Sequence, residues 1–189
     1  MPSSDKPDWW ARAFGLIGII GAAVTFFYTN YYPANVSVAG APYILVQATP
    51  QIGGWFTLAN EGAQQVTITS ASLDWDGTSM KCFLTSPNLD QWEYSGKGKR
   101  IVTKQITFTL FAPIGLKARD QSNAALWFRA EHLSLQVGHH DLLLTLYNGG
   151  KEISVTKFSI NMDETNAKNL RDDSTSQFLV PVISQERVK

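Results

Sequence analysis

The chain has 189 residues, a formal net charge of zero and a single cysteine, Cys82. This length accommodates about one ordinary domain with additional segments. A neutral charge balance argues against nucleic-acid binding, because displacing the counterions of phosphates needs a basic face. A single cysteine excludes an internal disulfide, which is compatible with a cytosolic protein or with a bacterial periplasmic one.

The first recognisable element is the uncharged stretch FGLIGIIGAAVTFFY, Phe14–Tyr28. A helix of about 20 residues is about 30 Å long, which matches the hydrocarbon core of a bilayer. Aromatic residues typical of membrane interfaces flank this stretch, namely Trp9 and Trp10 before it and Tyr28, Tyr31 and Tyr32 at its end. The pattern predicts a single-pass transmembrane helix over residues 11–32, retained as a signal-anchor. A cleaved signal peptide is the alternative, because its regions follow the same order.

Basic residues predict the orientation of this helix. Lys6 and Arg12 precede the apolar stretch, and the next Lys or Arg is Lys81. Because cytoplasmic loops are enriched in these residues, we expect a short cytoplasmic N-terminus over residues 1–10. The expected location is the bacterial inner (cytoplasmic) membrane, with the C-terminal domain in the periplasm.

Small residues recur along the helix at alternating spacings of four and three. They are Ala11, Gly15, Gly18, Ala22 and Thr25, here called the small-residue stripe. This spacing places them on one helix face, where close contact with another helix is possible. The stripe predicts a packing face for a second copy or for another membrane protein. The alternative is that Gly and Ala are simply frequent in membrane helices.

Residues 33–162 alternate apolar and polar side chains as β-strands do. Turn chemistry separates these strands, for example at Asp76-Gly77 and at Asn148-Gly149-Gly150. About eight short strands with turns roughly every 8–12 residues are typical of an antiparallel β-sandwich, and an antiparallel barrel is the alternative.

Two predicted strands change phase midway along their length. The apolar face moves from Val66 and Ile68 to Ala71, Leu73 and Trp75, and again from Ile153 and Val155 to Phe158 and Ile160. Each change predicts a β-bulge or a switch between sheets.

Two stretches carry a resemblance to known domains. FTLANEGAQQVTITSASL resembles the B–C hairpin of bacterial immunoglobulin-like and fibronectin-III-like domains, and VGHHDLLLTLYNGGKEISVTKFSI resembles their last two strands. The resemblance implies an all-β, immunoglobulin-like antiparallel β-sandwich that binds or spaces other molecules. The Cys…Trp…Cys spacing of antibody domains is missing, because Cys82 is the single cysteine.

The sequence predicts no catalytic machinery, no cofactor and no metal site. His139 and His140 are adjacent on a predicted strand and so point to opposite faces, whereas zinc needs three or four converging ligands. The nucleophile elbow, the phosphate loop and the His-Glu-x-x-His motif are all missing from the sequence. Cys82 lies in the apolar strand MKCFL, which predicts a buried, unreactive thiol.

A basic cluster at Lys97, Lys99 and Arg100 is a candidate contact for anionic lipid headgroups or for an acidic partner. A solvated turn is its alternative interpretation. Just before the cluster, Trp92 and Tyr94 are spaced to share one face of a strand. This aromatic pair is either a partner contact or part of the core.

Residues 163–189 begin with the polar DETNAKNLRDDSTS, which predicts a linker or a frayed helix. The apolar QFLVPVIS follows, with Phe178, Leu179 and Val180 as candidate partner contacts. This segment is either an added edge strand on the chain's own sheet or a docking strand for a partner's sheet.

Two functions compete at this point. The first is a non-catalytic, membrane-anchored interaction protein that serves as an accessory, assembly or scaffolding subunit of a membrane complex. The alternative is an envelope-bound carbohydrate-binding or hydrolytic module that uses Trp92, Tyr94, His140 and Asp141. A glycosidase would need two converging carboxylates, and the sequence displays no such arrangement.

Overall fold

Trp9–Tyr31 form a continuous helix, α1, at the beginning of the described chain. The computed structural model describes residues 9–40, 42–48, 51–86, 109–130, 135–172 and 176–188. Within α1, Arg12–Tyr31 are long and apolar enough to cross a bilayer, and none of this stretch is buried inside the protein. The prediction of an N-terminal apolar helix of membrane-spanning length is therefore confirmed.

Strands dominate the rest of the described chain, and one further helix, α2 (Glu164–Asp172), accompanies them. In chain order the strands are β1 (Val36–Ala39), β2 (Tyr43–Gln47), β3 (Gln51–Asn60), β4 (Val66–Ile68), β5 (Ser70–Trp75), β6 (Thr78–Ser86), β7 (Thr109–Leu110), β8 (Ile114–Leu116), β9 (Asp120–Arg129), β10 (Gly138–Asn148), β11 (Lys151–Met162) and β12 (Gln177–Arg187).

Eight of these strands close into an antiparallel barrel, in the order β3-β2-β12-β11-β10-β5-β6-β9 and back to β3. β1 lies beside β2 along the long β3, and β7 pairs with β6. The predicted immunoglobulin-like sandwich is therefore wrong, and the barrel that was its alternative is present. The closing element is β9, which pairs with β3 at one edge and with β6 at the other. Inward and outward residues alternate identically in sandwiches and barrels, so alternation could not separate them.

Two predicted turns form tight hairpins. Asp76 and Gly77 have φ values of 48° and 86° and join the directly paired Trp75 and Thr78. Two central residues with positive φ form the turn whose twist matches that of paired strands. Gly149 and Gly150, with φ values of 57° and 83°, likewise connect β10 to β11.

The hairpin implied by FTLANEGAQQVTITSASL is not formed. β3 pairs along its whole length with β9, whereas β4 pairs with β8 in a separate two-stranded sheet. The chain then enters the barrel at β5. The phase change between Ile68 and Ala71 is therefore the predicted switch between sheets.

The barrel interior is filled mainly by apolar side chains, and each end of the barrel is covered by a further element. At the end where β3 finishes and β9 begins, β4 contacts β10 on one side of the ring while β8 contacts β3 and β9 on the other. Val66, Ile68 and Leu116 of this small sheet are buried. At the opposite end α2 connects β11 to β12 and buries Ala167 and Leu170.

The segment after Met162 belongs to the barrel. Asp163 caps α2, because its Oδ1 accepts a hydrogen bond of 2.6 Å from the backbone N–H of Asn166. β12 then pairs with β2 through Gln177–Pro181 and with β11 through residues 182–187. This strand therefore closes the ring between β2 and β11.

Candidate membrane anchor and partner-binding surfaces

The side chains of α1 are exposed almost throughout. A Cβ atom added at Gly15 or Gly18 of the small-residue stripe would meet nothing within 4 Å. Thr25 donates its hydroxyl to the carbonyl of Gly21 at 2.8 Å, which satisfies this polar group within the helix. This arrangement leaves the face at Gly15 and Gly18 open to another helix.

The C-terminal end of α1 is held against the barrel by hydrogen bonds. Arg119 donates to the carbonyl of Thr29 at 3.3 Å, and the N–H of Ala63 donates to the carbonyl of Tyr32 at 2.9 Å. Gly62 packs so closely on Pro33 that a Cβ atom added at Gly62 would clash with the carbonyl oxygen of Pro33. The helix and the barrel are therefore in contact at the C-terminal end of α1.

This contact defines the anchor end of the barrel, formed by the turns at residues 61–65 and 117–120. Asn60 organises both turns, because its amide group donates to the carbonyls of Gln64 and Lys117 and its Oδ1 accepts from the N–H of Gly62. The side chain of Asn60 is 1% exposed, so these bonds replace those it would make to water.

Sequence reasoning did not identify Arg119, Asn60 or Gly62 as parts of a helix–barrel junction. In the sequence, Asn60-Glu61-Gly62 has only the composition of a turn. Arg119 carries a positive φ of 55°, but neither its conformation nor its partner on α1 has a local sequence signal.

The three C-terminal candidate contacts separate into different environments. Val180 points into the barrel and is 1% exposed, Phe178 is half-buried, and Leu179 faces outward with 54% of its surface exposed. Their alternation follows from their position in the wall strand β12. Of the three, Leu179 is the residue that a partner could reach.

The candidates Trp92, Tyr94, Lys97, Lys99 and Arg100 lie outside the described residues, and their roles stay predictions. In the sequence they fall between Ser86, the last residue of β6, and Thr109, the first residue of β7.

Of the four residues of the alternative carbohydrate-binding or hydrolytic hypothesis, the structure describes His140 and Asp141, and both are engaged in structural contacts. His140 is 5% exposed. Its Nδ1 lies 2.5 Å from Oδ2 of Asp76, and its Nε2 lies 2.8 Å from the carbonyl oxygen of Gln136. Trp75 packs beside it, with Nε1 at 3.3 Å from Nδ1. Both ring nitrogens therefore have partners within the protein. Through Nδ1, His140 connects the turn at Asp76 to the start of β10.

Asp141 points to the outer surface and forms an ion pair. Lys157 Nζ lies 2.8 Å from its Oδ2, and Ser159 donates a hydrogen bond of 2.8 Å to its Oδ1. The bond from Lys157 has the largest effect in lowering the pKa of Asp141, and the same bond raises the pKa of Lys157. Asp141 and His140 thus lie on opposite faces of β10.

Cys82 is half-buried in β6. Desolvation by burial raises the pKa of its thiol to about 12, against the lowering effect of backbone hydrogen bonds to Trp127 and Leu84. A thiol with this pKa has almost no thiolate near neutral pH and is a poor nucleophile or metal ligand. Among the described residues, no group of three or more His, Cys, Asp or Glu side chains could hold a metal ion.

No family model matches the chain, and no curated protein matches it.

Proposed function

We propose that this chain is a membrane-anchored, non-catalytic interaction protein. Its helix α1 crosses the bilayer with the N-terminus in the cytoplasm, and its barrel acts outside the cytoplasm as an accessory, assembly or scaffolding subunit. In a bacterium this site of action is the periplasmic side of the inner membrane. The small-residue stripe packs against the transmembrane helix of a partner protein or of a second copy.

The observation that supports the proposal is that α1 is apolar and is not buried against the barrel. An apolar helix with no buried residue in its Arg12–Tyr31 stretch needs an apolar environment that the barrel does not provide. Its aromatic ends fit the two membrane interfaces, because rings with polar tips are favoured at headgroup level. The lipid bilayer is therefore the first partner.

The junction between α1 and the barrel supports a scaffolding role. Because Arg119 and Ala63 bind the last turn of α1 and the residue after it, a partner helix that packs on α1 meets the barrel in a defined orientation. Tethering also makes any second contact effectively intramolecular, so a modest affinity of the barrel for the partner is sufficient.

The test compares two substitutions in adjacent residues of α1. We expect Ala22→Leu, in the small-residue stripe, to reduce co-purification of associated membrane proteins from mild detergent by about tenfold, since helix pairing of this kind contributes about 1–2 kcal/mol. Ala23→Leu adds the same side chain about 100° away around the helix and should leave co-purification unchanged.

Equal co-purification by both variants and by the wild type would contradict the role of the stripe. The anchor itself has a separate readout, because a spanning helix resists extraction from membranes by salt and alkali. Topology is read from reporters fused after Lys189: a fused alkaline phosphatase should be active, and a fused fluorescent protein that needs the cytoplasm should be dark.

A further inference from the structure

The outer wall of the barrel carries a continuous row of apolar side chains across neighbouring strands. Leu179 of β12 pairs with Leu45 of β2, and Leu45 pairs with Gly53 of β3. Gly53 pairs with Trp127 of β9, whose ring lies over it: an added Cβ at Gly53 would be 2.7 Å from the ring. The row therefore continues without a gap across Gly53.

The row extends beyond β9 onto the next two strands. Trp127 pairs with Leu84 of β6, and Leu84 pairs with Leu110 of β7. Directly paired residues share a face of the sheet, so all these side chains point outward. A second, shorter row lies beside the first, with Tyr43 paired to Pro181.

Several of these side chains are open to water. Leu110 is 79% exposed, Leu179 54% and Tyr43 47%, and Ile183 next to them on β12 is 60% exposed. Single exposed apolar residues are ordinary on protein surfaces, but a contiguous row is characteristic of an interaction site. We call the set Tyr43, Leu45, Leu84, Leu110, Trp127, Leu179, Pro181 and Ile183 the outer apolar face.

One border of this face is polar and positively charged. Gln177, Gln47 and Gln51 align across three strands, and Arg129 and Lys81 continue the same row across two more. Arg129 lies over the ring of Phe83 at 4.5 Å. Lys81 and Arg129 occupy directly opposite positions on β6 and β9. Within the described part of the chain neither of these two cations has a carboxylate partner. Like charges at paired positions repel each other, so a carboxylate between them would be stabilising.

We infer that the outer apolar face is the docking surface for the extracytoplasmic part of a partner membrane protein, which supplies an apolar strip bordered by carboxylates. This inference rests on the proposed function, since it names the second contact made by a chain that α1 already holds at the membrane. Charge favours this occupant over a second copy, because a second copy would bring the same Arg129 and Lys81 to the border.

Photocrosslinking in intact cells tests the surface directly. p-Benzoylphenylalanine replaces Leu179 or Tyr43 within the face and, as a control of similar exposure, Val137 outside it. We expect a crosslinked species heavier than the chain at Leu179 and Tyr43, with the mass of a heterologous partner, and none at Val137.

Charge reversal then links the crosslink to the chemistry of the border. Lys81→Glu should reduce crosslinking at Leu179 by about tenfold, whereas Lys151→Glu, which changes an exposed lysine at the start of β11, should leave it unchanged. Far-ultraviolet circular dichroism and urea unfolding of each variant establish that the barrel is intact.

Three results would overturn the inference: a crosslinked species with the mass of two copies, a crosslink confined to the same chain, or crosslinking that Lys81→Glu does not change. Failure of the proposed function has a different signature. A chain released from membranes by alkali, or an Ala22→Leu variant with unchanged co-purification, contradicts the role of α1 whether or not the face crosslinks.

Discussion

Two neighbouring strands, β10 and β11, face the same barrel interior with different chemistry. From β10 the inward residues include Leu142, Leu144 and Leu146, all 0% exposed. From β11, Ser154 and Thr156 point inward and are equally buried, directly opposite Leu146 and Leu144. Neither hydroxyl has a hydrogen-bond partner within the described part of the chain. At these two paired positions β10 thus supplies apolar side chains while β11 buries polar groups; farther along, β11 also buries Phe158 and Ile160.

The difference identifies a weak sector of the barrel. An unsatisfied buried hydroxyl costs about 1–3 kcal/mol, so Ser154 and Thr156 offset part of what the leucines contribute.

Thr156 also pairs with Arg187 of β12, whose guanidinium reaches Asn35 Oδ1 at 2.5 Å and the carbonyl of Val36 at 3.1 Å. Gln185 likewise donates to the carbonyl of Val38. Side chains thus connect the second half of β12 to β1.

The largest expected effect comes from shortening an inward-facing leucine of β10. We expect Leu144→Ala to lower the free energy of unfolding of the full chain by about 2–5 kcal/mol, because it removes buried methyl groups and leaves a cavity. Urea unfolding in detergent, followed by circular dichroism, measures this loss. Leu143→Ala is the matched control on the outer face, where we expect a change within about 0.5 kcal/mol. A loss below 1 kcal/mol for Leu144→Ala would contradict the importance of the β10 leucines.

A smaller change in the free energy of unfolding, of opposite sign, is expected at the buried hydroxyls of β11. Thr156→Val keeps the shape of the side chain and removes a buried hydroxyl without a partner, so we expect the free energy of unfolding to rise by about 1 kcal/mol. Thr57→Val is the control, because the hydroxyl of Thr57 is exposed and lies 2.7 Å from Oδ1 of Asn123. If Thr156→Val lowered the stability by 1 kcal/mol or more, an ordered water would be the partner of this hydroxyl, and the contrast between the strands would disappear.

These strands also show what the sequence could predict about the fold. The Asn148-Gly149-Gly150 turn and the leucine alternation of β10 were readable, because local φ requirements and a strict period of two leave strong signals. The phase of β11 was not readable. The predicted change of phase between Val155 and Phe158 is wrong, because Ser154, Thr156, Phe158 and Ile160 all point inward in one unbroken alternation. The irregularity of this strand lies earlier, at Ile153, where the register shifts opposite Leu146 and Tyr147.

Longer-range features had no local signal at all. Barrel closure depends on β9 pairing with both β3 and β6, which is a property of strand order and not of any one strand. The candidate surfaces likewise separate into those with a local sequence signal and those that depend on strand pairing. The small-residue stripe and Leu179 could be found from spacing and apolarity, whereas the outer apolar face depends on register across six strands.

The smallest expected effect concerns the outer side of the same strand pair, where Asp141 binds Lys157. The pKa of Asp141 is lower in the folded chain than the ordinary aspartate value of 3.8, so this carboxylate stabilises the fold above about pH 4 and loses its contribution as the pH falls through the folded pKa. The pKa of Lys157 is raised above 10.5, so its contribution persists until the pH rises through that higher value. The pair therefore contributes between these limits.

Thermal unfolding of the wild type, Asp141→Asn, Lys157→Gln and the double variant isolates the interaction as a double-mutant cycle. At pH 6 we expect a small positive coupling, and we expect it to decrease as the pH falls through the folded pKa of Asp141. Both groups are at the surface, so 1 M salt, with a Debye length of about 3 Å, should also reduce it. A coupling that stays constant from pH 6 to pH 2 would mean that Ser159 and strand packing, and not charge, hold Asp141 in place. The outer faces of β10 and β11 would then differ from their inner faces only in exposure.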